Sequence, residues 1–64
     1  MTARIIIGKE VLNIVAEITI EDAMISCGKH PDAFLFLING RPVPMTTILE
    51  DEVSVEALRV ASGG

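Results

Sequence analysis

The apolar residues of the chain open as a block and then begin to alternate. Ile5, Ile6 and Ile7 are three consecutive β-branched residues stopped by Gly8-Lys9-Glu10, a pattern that predicts a buried strand running into a tight turn. From Leu12 to Ile18 the period is two, with Leu12, Ile14, Ala16 and Ile18 on one face and Asn13, Val15 and Glu17 on the other. That period belongs to a strand covered on one side only. Together the two segments predict an N-terminal hairpin.

At Thr19 the period changes. Thr19-Ile20-Glu21-Asp22 has the form of a capping box, in which the hydroxyl accepts from a backbone N–H three residues on and the acidic side chain reaches back. A helix is predicted from Ile20. Its apolar residues Ile20, Ala23, Met24 and Cys27 fall at i, i+3, i+4 and i+7, one stripe that places Cys27 in the core and leaves Glu21, Asp22 and Ser26 outside. Glu21 and Asp22 also sit where the helix dipole favours negative charge. Gly28 is the residue type that ends helices in the left-handed conformation, and Pro31 cannot resume one, so the helix is two to three turns long.

Ala33-Phe34-Leu35-Phe36-Leu37-Ile38 is apolar at every position, which predicts a strand buried on both faces or a central strand under the helix. Asn39-Gly40 tolerates the two positive φ angles of a type I′ turn. The returning strand is Arg41-Pro42-Val43-Pro44, whose prolines stand two apart and so lack N–H groups on one side, which must be an unpaired edge. Met45 to Leu49 carries no clear period, and one helical turn is compatible with it. The acidic run Glu50-Asp51-Glu52 is a solvated turn into a last strand, Val53 to about Val60. There Val55 and Ala57 face the core, and Leu58 and Val60 point outward with Glu56.

A hairpin, one crossing helix and three further strands, the last beside the first, describe an α+β fold of β-grasp type with a mixed sheet of four to five strands. A ferredoxin-like fold needs a second helix, which Met45 to Glu52 is too short to supply. Residues 1–60 form the domain and residues 61–64, Ala-Ser-Gly-Gly, form a tail with almost no side-chain volume. Sixty-four residues leave room for one domain, and half of them are apolar, as a chain that buries only about 60% of its unfolded surface requires.

Charge and composition narrow the partners. The net charge of −4 repels polyanions, and Phe34 and Phe36 are the only aromatic residues, so neither phosphate neutralisation nor base stacking is served. A protein with a basic surface is the better match. One cysteine and one histidine make no disulfide and supply at most two of the roughly four ligands of a structural zinc site. The longest apolar run is far below the ~18 residues of a membrane span, and Met1 to Gly8 holds too short an apolar stretch for a secretory signal. The expectation is a soluble, cytoplasmic protein without metal or cofactor.

The order of elements, the Asn39-Gly40-Arg41-Pro42-Val43-Pro44 hairpin, the acidic turn Asp51-Glu52-Val53 and the terminal Gly63-Gly64 together resemble the ThiS/MoaD family of ubiquitin-like sulfur carriers, which includes the archaeal small modifier proteins. The resemblance covers essentially the whole chain. One departure is that the family's acidic turn usually carries a glycine, and Glu50-Asp51-Glu52 has none.

Gly63-Gly64 is the candidate reactive site. Glycine is about 7% of average residues, so chance places two at a chain end in roughly 0.5% of cases. Without Cβ atoms an extended tail can thread a narrow channel and bring its backbone close to a nucleotide. An α-carboxyl with a pKa of ~3.3–3.7 is ionised at neutral pH and can act as an oxygen nucleophile. The resemblance implies that an ATP-dependent activating enzyme joins the Gly64 carboxylate to AMP and that sulfur transfer then leaves a thiocarboxylate, for cofactor biosynthesis of thiamine or molybdopterin type or for tRNA thiolation. The chain is then a co-substrate and not an enzyme. Its alternative fates are amide linkage of Gly64 to target lysines, as in ubiquitin-like modification, or service as a passive β-grasp binding module. Leu58 and Val60, apolar and outward beside the tail, are the candidate patch for docking the activating enzyme. His30 reads as a solvated loop residue and Glu50-Asp51-Glu52 as a solvated tip.

Overall fold

The computed structural model describes residues 1–60. Its elements in chain order are β1 (Thr2–Ile7), β2 (Glu10–Val15), α1 (Ile20–Ser26), a 3-10 turn (Pro31–Ala33), β3 (Phe34–Ile38), β4 (Arg41–Val43) and β5 (Ser54–Arg59). They make one five-stranded sheet in the order β2-β1-β5-β3-β4. β1 and β5 are parallel at its centre, and the other neighbours are antiparallel. This is the mixed, open sheet with a single helix that defines the β-grasp arrangement.

The helix lies on one face. Ile20, Ala23 and Met24 are fully buried against Ala3, Ile5, Ile14, Phe34, Phe36, Val55 and Ala57, the inward residues of four strands. Each of those strands supplies alternate residues to the core, so the pleat's period of two decides which face is dry. The other face carries no second layer of the described chain. β3 accordingly follows the second of its two sequence expectations, a strand under the helix, and not the doubly buried one: Phe34 and Phe36 point inward, but Leu35 is exposed. Six apolar residues in a row cannot report that a face is open, because alternation is the only sequence signal of one-sided burial.

Helix α1 is closed at both ends. Thr19 Oγ1 accepts from the Asp22 N–H at 3.1 Å and the Thr19 carbonyl accepts from Ala23 N–H. The two remaining N-terminal donors go to the connector after β4: Ile20 N–H to the Thr47 carbonyl and Glu21 N–H to the Met45 carbonyl. The three N–H groups of the first turn that the helix ladder cannot serve, those of Ile20, Glu21 and Asp22, therefore all have partners. At the other end Gly28, at φ 75°, turns the chain so that its N–H reaches the Ile25 carbonyl and the Lys29 N–H reaches the Met24 carbonyl, the paired bonds of a Schellman cap. Cys27 sits at that cap, beyond the last full turn, and is exposed. The expectation of a core cysteine fails because the stripe ends with the helix at Ser26, where the chain leaves the sheet.

Met45 to Leu49 is no helical turn. It opens with a turn in which Thr47 N–H donates to the Pro44 carbonyl and then runs beside the start of α1 with a bridge between Ile48 and Thr19. Leu49 N–H donates to the Ile18 carbonyl, the Leu49 carbonyl accepts from Glu17 N–H, and the Leu49 side chain is fully buried. The strand predicted from Leu12 to Ile18 ends at Val15, although Ala16 and Ile18 stay on the inward side as the alternation requires. Glu17, at φ 73°, lies where the strand breaks.

Candidate functional site

The path to the candidate reactive residues is β5. Its position between β1 and β3 gives it a ladder on both sides, so its direction is set by the most constrained part of the sheet. Val55 and Ala57 are buried and lock its inner face. Arg59, the last residue of the strand, lies on that same face opposite Phe34, with its guanidinium carbon 5.8 Å from the ring centroid, within cation–π range. One residue further the Val60 N–H still donates to the Ala33 carbonyl at 3.0 Å. The chain is thus held by backbone pairing up to Val60.

The entry to β5 is fastened too. Asp51 Oδ1 accepts from the Thr2 N–H at 3.0 Å, and Glu52 N–H donates to the Thr2 carbonyl at 2.7 Å. The acidic turn therefore ties the start of β1 to the start of β5. Glu52 takes φ 65°, the left-handed conformation that glycine adopts most easily, so the turn keeps its geometry without a glycine.

Leu58 and Val60 are 44% and 41% exposed, as their outward phase in β5 predicts. Leu58 stands directly opposite Leu35 of β3, itself 42% exposed. Leu35 belongs to the same surface, and leaving open whether β3 was buried on both faces hid it; counting its phase from Phe34 and Phe36 would have found it. The open face continues through a cross-strand row of Val11, Ile6, Glu56, Leu37 and Pro42. Glu56 is the acidic residue within this apolar row.

Gly63 and Gly64 lie outside the described residues. Neither a protein-family model nor a curated protein matches the sequence. What the described chain contributes is therefore a central strand, an apolar open face and the residues that fasten both. Cys27 and His30 are exposed and the His30 carbonyl accepts from Ala33 N–H in the turn before β3. Among the described residues no three His, Cys, Asp or Glu side chains converge on a metal site, and Asp51 spends an oxygen on the Thr2 N–H. No helix among them is long and apolar enough to cross a membrane.

Proposed function

We propose that this chain is a sulfur carrier of the ThiS/MoaD type, a cytoplasmic co-substrate that presents the Gly64 carboxylate to an ATP-dependent activating enzyme. The observation that carries the reading is the place of Gly63-Gly64 in the chain, shortly after a central strand of a β-grasp sheet whose flanking residues Leu58, Val60 and Leu35 are exposed and apolar.

The chemistry needs little from the globular part. The Gly64 carboxylate attacks the α-phosphorus of ATP, pyrophosphate leaves, and an acyl adenylate forms. Activation is required because a carboxylate oxygen is a poor leaving group, whereas AMP is a good one. Hydrosulfide, or a persulfide followed by a thiol that cleaves the resulting S–S bond, then attacks the acyl carbon and AMP departs. The product is a thiocarboxylate at Gly64.

What the fold supplies is presentation. The apolar face around Leu58 docks, the net charge of −4 favours a basic partner, and backbone pairing to Val60 fixes where the tail starts. Gly63 keeps that tail narrow. Incubation with ATP, an activating enzyme and a sulfur donor tests the reading: the expected product carries sulfur at Gly64, and Gly63→Val blocks its formation with the fold intact. Amide linkage to lysines of other proteins as the sole product would replace the carrier by a modifier, and no modification at Gly64 would leave a binding module.

A further inference from the structure

The two edges of the sheet are unlike. β4 carries Pro42 and is followed by Pro44, and prolines block an edge by removing donors. β2, the opposite edge, holds Glu-Val-Leu-Asn-Ile-Val, with neither proline nor lysine. Its free main-chain groups can be placed from the ladder with β1. Ala16 N–H donates to the Met1 carbonyl at 3.2 Å, and hydrogen-bonded pairs alternate along an antiparallel ladder, so Ile14 with Ala3, Leu12 with Ile5 and Glu10 with Ile7 are the bonded pairs. Arg4 N–H agrees, since it donates away from β2 to the Val53 carbonyl. Val11, Asn13 and Val15 therefore turn their N–H and C=O groups to the free edge. Their side chains are exposed too, Val15 at 70%.

We propose that this edge pairs with the same edge of a second copy, antiparallel about a two-fold axis at Asn13. The register sets Asn13 opposite Asn13 of the second copy and Val11 opposite its Val15, so every outward main-chain group of the three residues finds a partner. Leu12 then faces Ile14 of the second copy on the core side, and like meets like on both faces. Lys9 and Glu17 lie beyond the two ends of the strand, so antiparallel pairing brings opposite charges to the same end of the pair. Both are exposed, and the one ion pair among the described residues, Lys29 with Glu10, uses neither. Charge thus favours the antiparallel arrangement, and a shift of two residues loses the match of Val11 with Val15. A single strand pair is small beside a standard interface of ~1,600 Å², so the dimer is a weak one. β1 separates β2 from β5, so pairing leaves Leu58 and Val60 free and is independent of the function proposed above.

Disulfide trapping in the full chain tests the register. In a Cys27→Ser background, Asn13→Cys places two thiols on residues whose Cα atoms are ~5.5 Å apart in a hydrogen-bonded pair, within disulfide reach. Val15→Cys does not, because its partner is Val11. Under mild oxidation the Asn13→Cys chain should cross-link at least about tenfold faster, as pairing raises the local thiol concentration; equal rates would overturn the register. Sedimentation equilibrium tests the edge itself. The wild-type chain should self-associate up to ~1 mM and Val11→Lys/Val15→Lys, which opposes like charges, should stay monomeric. A wild-type chain that is monomeric throughout, or a dimer that survives the two lysines, contradicts the proposal.

Discussion

Thr19 closes the first turn of α1 with one hydroxyl, and the Asp22 N–H it satisfies has no alternative acceptor inside the helix. Thr19→Ala should cost about 1 kcal/mol, read as a lower urea midpoint at unchanged slope. Glu52 is the converse case, a side chain held at φ 65° where glycine would sit without strain. The left-handed conformation costs an L-residue roughly 1–2 kcal/mol and glycine's extra chain entropy returns roughly 0.5–1. Glu52→Gly should therefore stabilise the fold by about 0.5–1 kcal/mol, visible as a raised thermal midpoint. Of these two residues the sequence shows the first plainly, because a capping box is a local pattern. A positive φ at a glutamate is imposed by the bonds from Asp51 and Glu52 to Thr2, which are distant in the chain.

Among the elements, the connector after β4 differs most from its sequence pattern. Met45 to Leu49 has no period of its own because it pairs with the chain around Thr19 through single bonds, and Leu49 alone of its side chains is fully buried. Leu49→Ala should destabilise the protein by about 2–5 kcal/mol, whereas Ile48→Ala, at an exposed neighbour, should stay within about 0.5 kcal/mol; equal losses in chemical denaturation would refute this division. The hairpins, the helix start and the phase of β5 were all legible, since each rests on turn chemistry or on alternation within a few residues. The one-sided burial of β3 and the exposure of Cys27 were not. Both depend on where a neighbouring layer stops, which no local period records.

At the scale of the whole molecule, the sheet has a dry face under α1 and an open face on which Leu35, Leu58 and Val60 stand beside the outgoing chain. If that face docks the activating enzyme, Leu58→Ser with Val60→Ser should weaken complex formation by roughly tenfold or more, the loss of two apolar contacts of about 1 kcal/mol each. Thermal stability should change much less, because both side chains already meet water in the free protein. Calorimetric titration beside a melting curve separates the two effects. The topology that sets this face was legible from the order of elements; Gly63-Gly64, the proposed reactive end, lies beyond the described residues and rests on the sequence alone.

The central claim concerns Gly64, and intact-mass and fragmentation spectrometry of the full chain after incubation with ATP, an activating enzyme and a sulfur donor tests it most directly. Fragmentation is essential because oxidation of Met1, Met24 or Met45 adds nearly the same mass as exchanging one oxygen for sulfur. The account predicts an ATP-dependent product in which one terminal oxygen of Gly64 is replaced by sulfur, and no such product from Gly63→Val. A product whose sulfur maps to any other residue, or a Gly64 found only in amide linkage to lysine, would contradict it.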